Sequence, residues 1–149
     1  MTTRLVTAHE DVGSNPGLLL WQVTNSWQAA IRKALKPFGL THVQFVLLAS
    51  LTWLNTDGPV TQRALADHAA TDPMMTSQVL RTLEGLGLID RSAHPGDKRA
   101  WALSVTPAGA ALANRANAAV EACDDAFFAA LGAKRTAFVA GLQRLRARG

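Results

Sequence analysis

Residues 72–106 have the sequence DPMMTSQVLRTLEGLGLIDRSAHPGDKRAWALSVT, which predicts a helix followed directly by a β-hairpin. Asp72 can cap the start of the helix, and Pro73 suits its first position, where a backbone N–H is not needed. Side chains at steps of three and four predict an inward face made of Thr76, Val79, Leu83 and Leu86. Gly87 is expected to end the helix, and Leu88 begins an extended run.

The opposite face of this helix is expected to point away from the protein. It consists of Met74, Ser77, Gln78 and Arg81, with Met75 at its edge. Gln can pair with adenine, and Arg with guanine or phosphate, so Gln78 and Arg81 are predicted to contact DNA. The alternative is that both are ordinary exposed helix residues. Ser77 either contacts a phosphate or tightens packing. The two methionines either meet thymine methyl groups or cover the core of the motif.

The second half of the segment predicts a hairpin. Its turn, residues 94–97, is rich in turn-forming residues. After the turn, Trp101, Leu103 and Val105 alternate with Ala and Ser, which predicts a strand with one apolar face. A helix followed by a hairpin with a basic tip is the layout of a winged helix-turn-helix, in which the helix enters a major groove.

The tip of the hairpin carries Lys98 and Arg99. We expect Arg99 to enter a minor groove while Asp97 holds its side chain, and Lys98 to contribute through charge. A solvated role for Arg99 is the alternative. Arg91, on the first strand of the hairpin, either supports the wing or reaches a phosphate.

The segment before residue 72 supplies the rest of the motif. Thr41 and Gln44 form a capping-box pattern ahead of an almost wholly apolar run, which predicts the most buried helix. A short strand at Val60 is expected to pair with the wing. Thr61 then caps a short helix, whose Arg63 either touches the DNA backbone or is solvated, and residues 69–71 form the tight turn into the next helix.

The remaining segments predict a mainly α fold with a small β-hairpin wing. Residues 40–106 form the winged helix-turn-helix domain, and residues 1–16 are expected to be a flexible arm. Residues 17–39 and 107–149 predict amphipathic helices with more apolar surface than one small domain can cover. These helices are therefore expected to form a dimer interface.

Composition limits the classes of function. The 149 residues suit one domain with 48% hydrophobic content, and the net charge of +4 gives mild support for a polyanionic partner. The single cysteine, Cys123, fits a reducing cytosol and is expected to be inert and packed, although a redox role is the alternative. Neither a signal peptide nor a membrane-spanning run is visible, so a cytoplasmic location is expected.

Residues 40–109 resemble the MarR-type bacterial transcription regulators. The motifs that carry the resemblance are LTHVQFVLLASL, VTQRALADHA, Ser77 with LEGLGLIDR, and DKRAWALSVTPAG. Asp97-x-Arg99 followed by Thr106-x-x-Gly109 is the most specific of them. Met74 and Met75 depart from the pattern, since small hydroxyl residues are common there.

The resemblance implies a homodimer in which the first helix pairs with the C-terminal helices of the second subunit. It also implies repression from a pseudo-palindromic operator with half-sites roughly 10 base pairs apart, and release of DNA by a small molecule. A pocket for a small aromatic effector is implied between the dimer helices and the DNA-binding lobe. Its candidate residues are Trp21, Trp27, His42, Phe45 and Trp53.

Two other classes of function compete with this interpretation. A winged-helix module that binds proteins and no DNA is the main alternative. An enzyme is not expected, because the sequence has no nucleophile–base pair, phosphate-binding loop or metal-ligand spacing. No cofactor or metal is expected for the same reason.

Overall fold

The computed structural model describes residues 3–149, so the first two residues of the predicted arm 1–16 lie outside the described part. The elements in chain order are α1 (Pro16–Leu35), α2 (His42–Leu54), β1 (Val60–Thr61), α3 (Gln62–Ala69), α4 (Pro73–Gly85), β2 (Ile89–His94), β3 (Asp97–Val105), α5 (Pro107–Phe128) and α6 (Arg135–Arg146). Short 3-10 turns cover residues 12–14, 36–38 and 129–134. The predicted class, mainly helical with a small wing, is confirmed.

The first helix begins one residue earlier than expected. Asn15 caps α1, because its side-chain Oδ1 accepts a hydrogen bond from the backbone N–H of Leu18 at 3.1 Å. Pro16 occupies the first helical position, where proline is favoured. Within α1 only Ile31 and Leu35 are buried. The N-terminal half of the helix therefore leaves apolar side chains uncovered.

The helix α2 lies at the centre of the fold. Its capping box is present: Thr41 N–H donates to Gln44 Oε1 at 3.0 Å, and Gln44 N–H donates to Thr41 Oγ1 at 3.2 Å. The helix contacts α1, α3, α4, α5 and β3. Four of its side chains are buried, namely Phe45, Leu47, Leu48 and Leu51. The expectation that this helix is deeply buried is confirmed.

The three strands form an antiparallel sheet in the order β1-β3-β2. Val60 pairs with Leu103, as expected for a short strand joining the wing. The prediction of one apolar face on β3 is partly wrong, since Ala102 is buried as well as Leu103 while Trp101 is half exposed. The reason is that β3 is the central strand and also contacts α2 and α3.

The inward face of α4 differs from the predicted one at two positions. Thr76 and Leu83 are buried as expected, but the third fully buried side chain is Leu80, and Leu86 is 59% exposed. The helix ends at Gly85, so Leu86 no longer follows the helical phase. Gly87 then takes a left-handed conformation, φ +73°, which turns the chain into β2 and favours glycine.

The junction between the wing and α5 is tightly packed. Thr106 caps α5, because its Oγ1 accepts a hydrogen bond from the N–H of Gly109 at 3.0 Å. The same hydroxyl donates to the carbonyl oxygen of Gly87 at 2.7 Å. A Cβ at Gly109 would overlap the carbonyl oxygen of Leu88. Only glycine therefore permits this approach of α5 to the start of β2.

The last two helices meet at a kink. The helix α5 ends at Phe128, and a 3-10 turn follows. Gly132 has non-helical backbone angles, φ 53° and ψ −129°, inside that turn, so it separates α5 from α6. Arg135 at the start of α6 bonds back to Asp125 on α5 at 2.9 Å.

No single helix within residues 3–149 is long and apolar enough to cross a membrane. The pair formed by Pro16–Phe38 and His42–Leu54, which meet at 73°, passes that test by length and composition alone.

Candidate nucleic-acid interface

The inner side of α4 is anchored near its first turn. Asp72 Oδ2 accepts a hydrogen bond from Met75 N–H at 2.9 Å. Thr76, which is fully buried, donates from its hydroxyl to Asp72 O at 2.7 Å and lies 2.6 Å from the hydroxyl of Thr71. The inner polar atoms are thus satisfied inside the motif. The other side of the helix is left free for a partner.

The outer side of α4 carries the residues that the sequence assigned to DNA contact. Met74 is 74% exposed, and Met75, Gln78 and Arg81 are exposed too. Ser77 is half-buried, and its hydroxyl accepts a hydrogen bond from Arg81 Nη2 at 3.3 Å. Ser77 therefore helps to orient the Arg81 guanidinium, a role that the sequence alone did not suggest.

The turn between α3 and α4 fixes the angle of the helix-turn-helix. Ala70 has a left-handed backbone with φ 52°, which is uncommon for a residue other than glycine. Thr71 N–H donates to Ala66 O at 3.0 Å, which closes the end of α3. On α3, Arg63 is exposed. The backbone of the turn, and not a flexible linker, sets how α4 projects from the protein.

The wing ends in a two-residue turn, Pro95 and Gly96, between β2 and β3. Asp97 was expected to hold the side chain of Arg99. Instead, its Oδ1 accepts a hydrogen bond from the backbone N–H of Arg99 at 2.9 Å. The two ion pairs among the described residues do not include Arg99. Asp97 therefore shapes the backbone of the tip, and the exposed guanidinium of Arg99 stays available.

A groove of about 700 Å³ joins the wing to the helix-turn-helix. Its walls include Arg63 on α3, Pro73 at the start of α4, and Asp97 and Arg99 on β3. Gln62 also lines the groove, and its buried Oε1 accepts no hydrogen bond from the described residues. The start of α4 and the basic wing tip consequently border one continuous concave surface.

Arg91 supports the wing from within. Its side chain is 7% exposed, its guanidinium lies 4.5 Å from the Trp101 ring centroid, and its Nη1 lies 3.9 Å from Glu84 Oε1 at the end of α4. The sequence left open whether Arg91 supports the hairpin or reaches a phosphate. Its burial favours the supporting role.

The predicted effector residues form one small cluster and several isolated positions. Trp27 and His42 lie edge to face with ring centroids 5.1 Å apart, and Trp27 Nε1 donates to Asp124 Oδ1 at 2.8 Å. His42 also lines a cavity of about 290 Å³ together with Gln28 and Arg32. Burial lowers the pKa of His42, the charge of Arg32 lowers it further, and Asp124 acts in the opposite direction.

The other three predicted effector residues lie elsewhere. Phe45 is part of the hydrophobic core, and Trp53 lines a separate cavity of about 520 Å³. Trp21 is 69% exposed on α1. The structure therefore does not bring the five residues into one pocket. Gln28 and Arg32, which the sequence analysis missed, lie four positions apart on α1, so their common face was predictable, but its contact with α2 was not.

Two further expectations concern reactive groups. Cys123 is half-buried and packs against the core. Among residues 3–149, no group of three His, Cys, Asp or Glu side chains is placed to hold a metal ion.

A helix-turn-helix with a wing and an outward polar helix face defines the winged-helix class of DNA-binding proteins. The family model for the MarR family matches residues 40–101. The HTH-type transcriptional regulator YdcH of Bacillus subtilis is 50% identical over 133 residues, which are 89% of this chain and 90% of that protein. The chain belongs to the MarR family, and it is a DNA-binding transcription regulator.

Two more similarities extend over most of the chain. The HTH-type transcriptional repressor Rv2887 of Mycobacterium tuberculosis is 37% identical over 78% of this chain and 82% of its own. The crystal structure of CouR from Rhodococcus jostii RHA1, bound to p-coumaroyl-CoA, is 28% identical with a TM-score of 0.80, and it covers 93% of this chain and 94% of CouR. These findings support the regulator and not the protein-interaction module. The relatives are named as transcription regulators, not as enzymes.

Proposed function

We propose that this regulator is a homodimeric repressor that binds a pseudo-palindromic operator and responds to a small molecule. One observation carries the proposal: Pro73 at the start of α4 and Arg99 at the basic wing tip border the same concave surface. A major groove admits a helix, and a flanking minor groove admits an arginine. The repressor sign is supported by the similar mycobacterial repressor.

In this proposal α4 lies in the major groove. Gln78 and Arg81 contact base edges, Ser77 orients Arg81, and Met74 and Met75 meet thymine methyl groups. These contacts would supply sequence preference, whereas contacts to phosphate would supply most of the affinity.

The wing supplies the second contact. Arg99 enters the minor groove, and Lys98 contributes its charge near the phosphates. Asp97 keeps the tip in shape through the N–H of Arg99.

The dimer is supported by apolar surface on the first and last helices. Exposed large side chains there are Leu19, Leu20, Trp21, Val23, Val139, Leu142 and Leu145. We propose that residues 17–39 and 107–149 form the dimer interface, that residues 40–106 bind DNA, and that residues 1–16 form the arm. Two-fold symmetry would then place the half-sites roughly 10 base pairs apart.

For the effector we propose the cavity beside Trp27 and His42. It lies where α1 and α2 meet the turn into α4, since Ala69 and Thr71 also line it. A ligand that favours one position of the DNA-binding lobes would change DNA affinity by the difference in its own affinity for the two positions. Arg32 in the same wall suits an anionic group. A regulator of this kind acts in the cytoplasm, where the DNA is.

Fluorescence anisotropy with duplexes from the DNA flanking the gene, against scrambled duplexes, tests the proposal. Arg99→Ala should weaken binding and reduce the slope of log affinity against log salt by about 1. Gln78→Ala should mainly reduce the difference in binding free energy between specific and scrambled duplexes, by about 1–3 kcal/mol. Arg115→Ala and Gln143→Ala remove the same side-chain types from exposed positions on α5 and α6. Both lie in the proposed dimerisation region, so sedimentation equilibrium must first show that each variant keeps the mass of the wild type. Each should then change neither the salt slope nor the preference for specific DNA.

Binding of all duplexes no tighter than about 10⁻⁵ M at physiological salt would contradict the proposal, since that range is non-specific contact. Sedimentation equilibrium tests the dimer separately. Leu145→Asp should lower the measured mass towards one subunit. Leu86→Asp changes an equally exposed leucine in the DNA-binding lobe and should leave the mass unchanged.

A further inference from the structure

A second cleft, of about 520 Å³, lies among α2, α3 and α5. Residues from all three helices line it, including Ser50 and Trp53 on α2, His68 on α3, and Asn114, Asn117 and Glu121 on α5. We call it the Trp53 cleft. Its walls are separate from the cavity beside His42 and from the groove under the wing, because no lining residue is shared.

Trp53 is the unusual residue of this cleft. It is 76% exposed, although it belongs to the most buried helix of the fold. Packing within one subunit does not account for a tryptophan there, since the core uses other faces of α2. The exposed apolar side chains assigned to the proposed dimer interface lie on α1 and α6, not on α2. An indole ring left in water gives up the free energy of burial, and it offers an electron-rich face to a positive charge. The ring is therefore suited to a partner that the chain itself does not supply.

The charge of the cleft complements such a partner. Glu121 contributes a carboxylate, and no Lys or Arg from the described part of the chain lines the walls. Asn117 Nδ2 donates to Glu121 Oε1 at 3.0 Å, which holds the carboxylate in position. The hydroxyl of Ser50 is a further acceptor in the wall for an N–H group. An aromatic ring and a carboxylate in the walls of one cleft are the combination that recognises ammonium groups.

We infer that the Trp53 cleft binds an organic ammonium cation, with the Trp53 ring against the charged group and Glu121 neutralising it. The cavity beside His42 is lined by Arg32 and selects against the same cation. The chain would then have two ligand sites of opposite preference, an anion site against α1 and a cation site against α5.

The position of the cleft connects ligand binding to the helix-turn-helix. His68 lies in the last turn of α3, directly before the turn into α4, while Glu121 lies on α5. A cation held between these helices would respond to their separation. This effect on DNA rests on the proposed function, but the binding itself does not.

Isothermal titration calorimetry of the full chain without DNA tests the site. The probe is benzyltrimethylammonium chloride, with sodium benzoate as an anion of similar size, both at constant ionic strength. We expect saturable binding of the cation, with a dissociation constant below about 1 mM. Benzoate should not displace it. Failure of the cation to saturate, or displacement by benzoate, would overturn the inference.

Variants assign the binding to the cleft. Trp53→Leu and Glu121→Gln should each weaken cation binding by about two- to fivefold, as expected for loss of an exposed cation–π contact or of the paired charge. Both side chains are exposed, so the fold should persist, which circular dichroism checks. Asp90→Asn removes an exposed carboxylate on β2, outside the cleft, and should leave binding unchanged. Equal affinity of the two cleft variants and wild type would refute the assignment.

A last measurement separates this inference from the proposed function. Anisotropy of operator DNA is recorded with and without the cation, in wild type and in Trp53→Leu. A cation-dependent change that is lost in the variant links the cleft to DNA binding. Calorimetric binding without any change in DNA affinity leaves the site standing and refutes only the link.

Discussion

The guanidinium of Arg91 lies 4.5 Å from the ring centroid of Trp101, so a buried cation and an aromatic ring join the two strands of the wing. Arg91 pairs with Leu103 across the hairpin, and Trp101 pairs with Ala93, which makes the stacked side chains diagonal neighbours on one face. Glu84, at the end of α4, approaches the same guanidinium. The three side chains therefore hold the wing at a set angle to α4.

Replacing Arg91 should disturb DNA binding without removing a DNA contact. Arg91→Met should weaken operator binding by about tenfold, because the wing loses its stacked cation and its tie to α4. The slope of log affinity against log salt concentration should stay that of wild type, since a buried guanidinium does not reach phosphate. Arg91→Lys keeps the charge but not the planar stack and should be intermediate. A reduced salt slope in Arg91→Met, like that of Arg99→Ala, would instead place Arg91 on the DNA.

Gly109 gives a second prediction, on stability. Gly109→Ala should lower the free energy of unfolding by about 1–3 kcal/mol or more, because its Cβ would overlap the Leu88 carbonyl and the backbone must move. Gly85→Ala is the control: a Cβ at Gly85 would have no atom within 4 Å apart from those of its own stretch of helix. That change should be neutral or stabilise by up to about 1 kcal/mol. Urea unfolding of both at one protein concentration checks the pair, and equal stability would contradict the close packing.

His42 gives a prediction on pH. The folded protein lowers the pKa of His42 below its usual 6.5, so the folded state binds fewer protons than the unfolded state. Stability should therefore fall as pH drops below about 6.5, and the loss should level off below the folded pKa. His42→Gln should flatten this part of the curve. Urea midpoints at pH 5.5 and 7.5, compared between wild type and variant, test it. Identical pH dependence would show that His42 is not responsible.

Trp27 and Asp124 give a prediction on the contact between α1 and α5. Their hydrogen bond, 2.8 Å long, joins residues 97 positions apart. Asp124→Ala should destabilise the chain by about 1–3 kcal/mol, because the indole N–H loses its acceptor in a partly buried site. Asp124→Asn keeps an acceptor oxygen and should lose less. Thermal unfolding measures both variants, and equal losses would mean that the hydrogen bond contributes little.

The sequence was most informative where local chemistry sets local structure. The capping box at Thr41 and the cap at Asp72 identified helix starts, and the turn formers at residues 94–97 located the wing. The exposed residues of α4 followed from helical spacing in the same way. Such signals depend on neighbours in the chain, so one sequence contains them.

The errors arose where tertiary contacts decide. Leu86 was placed inward because the helical phase was extended past its true end. Leu80 was overlooked although it lies four residues after Thr76 and three before Leu83, so helical spacing alone would have placed it inward. The five aromatic and histidine candidates for an effector pocket were grouped by type, but type does not bring distant helices together. The Asp97 carboxylate was assigned to a guanidinium although a backbone N–H two residues away was the nearer donor.

Thr106 has a consequence for the half-site spacing that the proposed dimer accepts in its operator. Its hydroxyl caps α5 and donates to the carbonyl oxygen of Gly87, and its N–H donates to Leu88 O at 3.0 Å. The start of α5 is therefore bonded directly to the residues that follow α4. Any tilt of α5 should pass undamped to α4 in each subunit. The two α4 helices of the dimer would then keep a fixed separation. One base pair inserted at the operator centre should therefore weaken binding, since it rotates one half-site by about 35° relative to the other.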